Sequence, residues 1–352
     1  MQWPQILPDW LTPELALADW QARIRRVARQ TAAHLSALEY VSGVAVMGSV
    51  GRGTPMPVSD VDMFVVTCPP GGEDVGPLLA AQENKRNARL TASRIPNTLE
   101  FEFLALTVHD LQAALALAET EFVRLSRDFR WFSLMDKVMG AKTLVDPDGL
   151  LGSFIARCEG VRFADAFIAL AVQRMTDGAS PHLARALSRG ETGNWAGASR
   201  DVHRATDPLS WGMYETWRRQ PQSAVRAVTR LLGHAMDVGD AQVGEAFLSA
   251  VRLGESDTWR RFAAVPKERQ LERDLWLAIR RGAGEPIDEL AATRDMLQIS
   301  TWVSIGDDLQ DAWPEWTGVT GEPQAVRAQL DGACLMLERL TRASRELSAS
   351  TQ

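Results

Sequence analysis

Every strand-like segment of this chain lies in its first 150 residues. Short apolar runs predict strands over 43–47, 61–67, 98–107 and 142–145, with helical patterns between them. Beyond these strands, apolar residues recur at helical spacing between Gly, Pro and Asp breakers. We therefore predict an α+β fold with two domains, as a length of 352 residues suggests. The first, 1–150, has a small mixed sheet flanked by helices, and the second, 151–352, is all helical.

The composition excludes several classes of protein. A hydrophobic share of 45% and a charged share of 24% are typical of globular chains and exclude disordered, collagen-like and coiled-coil ones. No stretch approaches the roughly 18 apolar residues that a membrane span needs. The segment Met1–Pro4 begins no signal peptide, because it lacks a basic region and a long apolar region, so we predict a cytoplasmic protein.

The charge balance bears on the partners. The net charge is −7, from 38 basic and 45 acidic residues. Phosphate contacts with a nucleic acid need a basic face, so this balance argues against a dedicated nucleic-acid-binding protein. It is compatible with a cationic small-molecule partner.

Cysteine and histidine do not form a site in this sequence. The three cysteines and five histidines are widely spaced, without a CxxC pair or a pair of histidines at ligand spacing. We therefore predict neither a disulfide framework nor a zinc site. The chemistry has to come from other residue types.

A glycine-rich turn follows the first predicted strand. Gly48 and Gly53 have the spacing of a P-loop, but Thr54 stands where that loop needs a lysine. The turn also lacks the third glycine of a dinucleotide-binding fingerprint. It can present backbone N–H groups and the Ser49 hydroxyl to a phosphate, with Arg52 within reach of a triphosphate. Taken alone, it also fits an ordinary tight turn.

Two strands carry carboxylates at alternate positions. Asp60 and Asp62 lie at the start of the second predicted strand, and Glu100 and Glu102 lie on the third. Residues two apart on a strand share a face, so each pair brings like charges together. One explanation is a solvated pair at a strand start. The other is a divalent cation, since hard carboxylate oxygens suit Mg²⁺.

The two pairs together predict more than either pair alone. If the second and third strands are neighbours, up to four carboxylates converge, and such a cluster is unfavourable unless it holds metal or titrates. Three carboxylates are able to carry two metal ions about 3.5–4 Å apart. A carboxylate that is not fully used as a ligand is able to act as a general base.

These residues together resemble the nucleotidyltransferase superfamily that includes polymerase beta. Within it, the chain looks most similar to bacterial aminoglycoside adenylyltransferases of the streptomycin/spectinomycin type. About forty residues separate the second aspartate from the later glutamate, the segment 108–110 reads Val-His-Asp, and a helical domain follows. The residues that carry the resemblance are Gly48, Ser49, Asp60, Asp62 and, on the third strand, Glu102 or Glu100.

The resemblance implies a reaction and roles for these residues. AMP would pass from ATP to a hydroxyl of a small polar acceptor, with release of pyrophosphate and with two Mg²⁺ ions as cofactors. The implied metal ligands are Asp60, Asp62 and Glu102, and Glu102 is also the implied base. The nucleotide would be held by Gly48, Ser49 and Arg52. Residues 1–150 would form the nucleotidyltransferase domain, and 151–352 would bind the acceptor.

The acceptor is less constrained than the chemistry. An aminoglycoside, and hence antibiotic resistance, is the leading interpretation, but the helical part of about 200 residues is longer than expected for those enzymes. Toxin-like nucleotidylation of a protein or tRNA remains an alternative, as does an inactive nucleotide-binding module. Lys137 is a further candidate for phosphate binding. The acidic candidates for a cationic acceptor are Glu159, Asp165, Asp201 and Asp207.

Overall fold

The computed structural model describes residues 13–55, 60–68, 74–92, 101–220, 227–265, 288–306 and 315–350, with 270, 273, 274, 277 and 281. The described residues up to Phe167 form one compact unit, and those from Ile168 onward form a second. We call these unit 1 and unit 2. The predicted α+β class, the small mixed sheet and the helical second part are confirmed. None of the described helices is long and apolar enough to cross a membrane.

Unit 1 contains a four-stranded sheet in the order β3-β2-β1-β4. The strands are β1 (Val41–Val46), β2 (Val61–Thr67), β3 (Phe101–Thr107) and β4 (Lys142–Val145). β1 runs antiparallel to both β2 and β4, whereas β2 and β3 are parallel. The four predicted strands are thus present: β2 and β4 have the predicted bounds, β1 begins two residues earlier and ends one residue earlier than predicted, and residues 98–100 of the third lie outside the described residues. The carboxylates of the second and third strands therefore lie on neighbouring strands.

Alternation along β2 separates a core face from the face of Asp62. Val61, Met63 and Val65 are fully buried and pack with the helix α1 (Pro13–Leu35). Asp62 shares the opposite side with Phe64, because strand side chains alternate. The Phe64 ring lies edge-on to Phe154, with ring centroids 5.7 Å apart. Both sides of β2 are therefore covered by protein, which suits its continuous apolar sequence.

Side chains seal the outer edge of β3. The helix α3 (Gly76–Ala92) supplies Asn87, which accepts a hydrogen bond from Phe101 N at 2.7 Å and donates one to Phe101 O at 3.3 Å. Glu83 of the same helix accepts one from Phe103 N at 2.7 Å. These bonds replace the backbone partners that an edge strand lacks. They hold the segment that carries Glu102 in position.

Short helices lie between the strands of unit 1 and after β4. They are α2 between β1 and β2 (Gly48–Gly51), then α4 (Val108–Ala116), α5 (Glu119–Leu125), α6 (Phe129–Lys137) and α7 (Leu150–Val161). Asp128 caps α6 by accepting a 2.7 Å hydrogen bond from Arg130 N. α7 packs on α4 and β1. For this reason the contacts divide the chain after Phe167, and not after residue 150.

Unit 2 consists of packed helices. The helices from the boundary onward are α8 (Asp165–Glu191), α9 (Trp195–Thr216), α10 (Ala227–Asp237), α11 (Ala241–Ala250), α12 (Glu255–Ala263), α13 (Glu289–Gly306) and α14 (Pro323–Ser350), with a 3₁₀ turn at Glu315–Thr317. α14 packs against α9 and α11, and α13 packs against α10 and α12. The helical patterns beyond 150 are thus confirmed as a class of structure.

The element bounds predicted in this part are partly wrong. Separate helices are expected over 153–175 and 181–189, but α8 runs unbroken through Pro181. α9 is missed, because Gly, Asp and Pro208 interrupt its apolar pattern. Tertiary packing stabilises both helices despite the prolines. Most of the helix expected over 268–281 lies outside the described residues.

A buried polar network ties three helices of unit 2 together. Ser199 Oγ donates to Gln329 Oε1 at 2.7 Å, and Gln329 Nε2 lies 3.2 Å from His203 Nε2 and 3.1 Å from Ala250 O. Burial, together with the charge of Arg261, lowers the pKa of His203 to about 3. The ring is therefore neutral at pH 7. Because the residues of this network are buried, it is a structural tie and not an accessible catalytic group.

Candidate active site

The turn between β1 and β2 brings the backbone against Asp62. Gly48 has φ +57°, in the left-handed region that favours glycine. A Cβ atom placed on Gly48 would lie 2.0 Å from Asp62 Oδ2, far inside van der Waals contact. Met47 N also donates a 2.8 Å hydrogen bond to Asp62 O. Only glycine therefore lets the turn approach this carboxylate so closely.

Two carboxylates and one ammonium group form the centre of the site. Asp62 pairs with Glu102 in the parallel register of β2 and β3, so their side chains are direct neighbours. Lys137, the last residue of α6, places Nζ 2.8 Å from Asp62 Oδ1 and 2.6 Å from Glu102 Oε2. Lys137 therefore bridges the two strands. The structure brings together three of the predicted residues here.

The environment of Lys137 favours its charged form. Burial by itself lowers the pKa of Lys137, but the charges and hydrogen bonds of Asp62 and Glu102 outweigh it, so the net pKa is raised. The side chain of Asp62 is 14% exposed and that of Glu102 is 48% exposed. The cluster thus has one sheltered and one accessible carboxylate.

A buried ion pair, Arg162 with Asp136, lies next to Lys137. Arg162, which is fully buried, donates to Asp136 Oδ1 from Nε at 3.2 Å and from Nη2 at 2.7 Å. Its guanidinium also lies 4.8 Å from the centre of the Phe167 ring. Asp136 precedes Lys137 in α6, so this ion pair fixes the end of the helix that carries the ammonium group. A buried pair of this kind is costly to break.

Arg52 lies near both Asp136 and Asp62. Burial lowers the pKa of its guanidinium, while the charges of Asp136 and Asp62 oppose that effect. Its side chain crosses Gly140, where an added Cβ would lie 2.8 Å from Arg52 Cγ. Its Nε is buried and has no hydrogen-bond partner among the described residues. The predicted nucleotide-binding arginine thus lies close to the site, near Asp136.

The remaining predicted residues have varied positions. Ser49 lies in α2 and is 8% exposed. Asp60 is exposed and directly precedes β2, and it is not in the strand itself. Glu100 lies outside the described residues, so only Glu102 of the second pair has a described position.

Sequence reasoning missed Asp136, Arg162 and Gly140. Asp136 follows Phe132 by four residues, so it falls on the apolar face of α6. A charge at such a position signals a buried partner. That partner, Arg162, is 26 residues further along the chain, and no spacing rule identifies it.

Within the ranges described above, no three Asp, Glu, His or Cys side chains lie close enough together to hold a metal ion. Asp62 and Glu102 nevertheless offer hard oxygen atoms of the kind that Mg²⁺ prefers. The ammonium group of Lys137 already occupies a cation position between them. The two carboxylates therefore fit a cation, and Asp60 as a further ligand stays a prediction.

The acidic residues predicted to bind a cationic acceptor differ in their contacts. Asp201 is buried, with Oδ2 3.0 Å from Arg189 Nη1. Glu159 accepts a 3.1 Å hydrogen bond from Gly140 N. Asp207 makes no ion pair with the described residues, and burial of its carboxyl group raises its pKa to about 6. Of these three, Asp201 is already paired with an arginine.

Replacement of Gly48 by alanine tests the close approach of the turn. We expect a loss of unfolding free energy of about 2 kcal/mol or more, because alanine adds both left-handed strain and a clash with Asp62. Gly53→Ala is the matched control: it has φ +78°, but nothing lies within 4 Å of its added Cβ. Denaturant unfolding followed by circular dichroism gives both values. Equal losses in the two variants would show that the contact with Asp62 adds nothing.

The sequence matches no protein-family model and no curated protein.

Proposed function

We propose that this chain is a metal-dependent nucleotidyltransferase that moves AMP from ATP to a hydroxyl of a small polar, cationic acceptor, with an aminoglycoside as the leading candidate. The observation that supports this most is the position of Asp62 and Glu102. They lie side by side on parallel strands, against the Gly48 turn, with a single ammonium group between them. A purely structural ion pair does not need the bare glycine backbone there.

The carboxylates are the proposed ligands of the metal cofactor. Asp60, Asp62 and Glu102 would hold Mg²⁺, whose oxygen preference they match. When bound, Mg²⁺ supplies positive charge that stabilises the triphosphate and the transition state. The sheltered position of Asp62 suits a ligand held in a fixed place.

The accessible carboxylate suits the role of base. In the transfer, the acceptor oxygen forms a bond to the α-phosphorus, and the bond from that phosphorus to the bridging oxygen breaks. Pyrophosphate leaves with the bridging oxygen, and the hydroxyl proton passes to the Glu102 carboxylate. Glu102 is 48% exposed, so a hydroxyl can reach it without rearrangement of the strand.

The turn and the nearby cations suit the nucleotide. Gly48 and Ser49 would bind the phosphates through backbone N–H groups and the hydroxyl. Arg52 contributes positive charge near Asp62. Lys137 is within reach of the same anionic ligand, since its ammonium group already lies between Asp62 and Glu102.

The overall charge supports a cationic acceptor. With a net charge of −7, the chain attracts polyamines and aminoglycosides and repels the phosphates of nucleic acids. Asp207 of unit 2 makes no ion pair within the described part of the chain, and a cationic acceptor would offset the burial that raises its pKa to about 6. This favours a drug-like acceptor over tRNA.

The test is pyrophosphate release from ATP and Mg²⁺ in the presence of each member of an aminoglycoside panel. We expect release that depends on at least one drug and that Asp62→Asn abolishes. Radiolabelled ATP with total protein and with tRNA provides a second arm. Label in either macromolecule without drug-dependent release would replace the small acceptor. Absence of transfer in every arm would reject the proposed enzyme.

A further inference from the structure

We infer that Lys137 is an internal substitute for the metal ion: its ammonium group keeps a divalent cation out of the Asp62–Glu102 site until a nucleotide draws it away. This inference rests on the proposed function for the identity of the nucleotide. It concerns a residue for which the sequence predicts only phosphate binding as a point charge.

The ammonium group lies where a bridging cation would lie. Nζ is 2.8 Å from an oxygen of Asp62 and 2.6 Å from an oxygen of Glu102. The two residues are direct cross-strand neighbours, and Nζ lies between them on one oxygen of each, where a cation that joins these two oxygens would also lie. A divalent ion and this ammonium group therefore compete for the same oxygen atoms.

The Lys137 ammonium group and a divalent ion exclude each other because both are positively charged. Asp62 and Glu102 together carry two negative charges, and Lys137 reduces the sum to one. A divalent ion that entered beside the ammonium group would meet a positive charge only a few ångströms away. Because the Asp62 carboxylate is sheltered, solvent screens this repulsion less than it would on an open surface.

Lys137 is also the cation that is able to move. It is the terminal residue of α6, its side chain is 27% exposed, and its ammonium group is a point charge on a flexible stem. The other nearby cations are held more firmly. Arg162 is fully buried against Asp136, and Arg52 is confined against Gly140.

A triphosphate gives the ammonium group another partner. Its oxygens are strong acceptors for a lysine, so Lys137 can exchange Asp62 and Glu102 for phosphate. The carboxylates are then free to bind the divalent ion that accompanies the nucleotide. The site would thus bind the metal ion and the nucleotide together. Without the nucleotide it would bind the metal ion only weakly.

The test measures Mn²⁺ binding by electron paramagnetic resonance with no nucleotide or acceptor present. We expect Lys137→Met to bind one Mn²⁺ about tenfold or more tightly than the unmodified protein, because the competing charge is gone. Lys142→Met is the matched control, since it removes an exposed lysine of β4, and it should behave as the unmodified protein. Lys137→Arg keeps the charge and should also bind weakly.

A double variant identifies the site. Adding Asp62→Asn to Lys137→Met should abolish the gained Mn²⁺ binding, which separates it from binding to other acidic surfaces. Equal affinity of Lys137→Met and the unmodified protein would overturn the inference, as would a gain that survives the loss of Asp62. Circular dichroism establishes that each variant is folded.

A second measurement needs no variant. A non-hydrolysable ATP analogue should raise the Mn²⁺ affinity of the unmodified protein beyond that of the analogue alone, and tight Mn²⁺ binding without the analogue would overturn the inference. The result is independent of catalysis. Gained binding in Lys137→Met, together with a lack of AMP transfer to any acceptor, would reject the proposed function and leave the metal competition standing.

Discussion

Replacement of Asp62 by asparagine is expected to lower drug-dependent pyrophosphate release by about a thousandfold. Asparagine has the shape of aspartate, so it fits beside Gly48 and still accepts a hydrogen bond from Lys137. It lacks the negative charge with which Asp62 would hold Mg²⁺. The loss should therefore appear in the rate of transfer and not in the fold.

The measurement compares initial rates of pyrophosphate release with the circular dichroism spectrum of each variant. Asp148→Asn is the matched control, because Asp148 is exposed in the turn before α7 and the substitution is identical. Glu102→Gln should cause a similar loss, by removing the base. Full activity of Asp62→Asn in a folded protein would exclude the proposed metal role of the carboxylate.

Replacement of Arg261 by methionine is expected to destabilise unit 2 by about 3–5 kcal/mol. Arg261 is 2% exposed, and burial lowers the pKa of its guanidinium to about 9. Its Nε donates to Trp316 O at 2.8 Å, and Nη1 donates to Val251 O at 2.7 Å and to Arg252 O at 2.9 Å. Nη2 donates to Thr301 Oγ1 at 2.9 Å.

Methionine is similar in length but donates no hydrogen bond, so these acceptors lose a buried donor. Arg260→Met is the matched control: the Arg260 side chain is 59% exposed, and its ion pair with Asp257 should contribute less than about 1 kcal/mol. Urea denaturation gives the loss of unfolding free energy in each variant. Hydrogen exchange in the peptides of α12 and α13 shows whether the loss lies there. Similar losses for both variants would show that the buried hydrogen bonds of Arg261 add no stability.

Local patterns were sufficient for the class of fold. The apolar run 61–67 is β2 within the same bounds, because a strand buried on both sides needs a continuous apolar sequence. Asp62 interrupts that run, and the structure places it beside the glycine turn. Alternation along a strand is a short-range property, so it can be read from neighbouring residues.

Long-range pairs were not predictable in the same way. Lys137 meets Asp62 across 75 residues of chain, and Arg162 meets Asp136 across 26. No pattern of neighbouring residues encodes such distances. The helix α9 was missed for a related reason, since its stability comes from packing against α11 and α14 and not from its own propensity.

The sequence by itself therefore determined the α+β class, the strands of unit 1, and the glycine turn with its carboxylate-bearing strands. These follow from residue type and local periodicity, which act over a few residues. Only the tertiary structure decided which carboxylates are neighbours and which cation lies between them. The parallel register of β2 and β3 joins Asp62 to Glu102, and the end of α6 supplies Lys137. Charges far apart in sequence interact only after folding brings them within a few ångströms in a sheltered place.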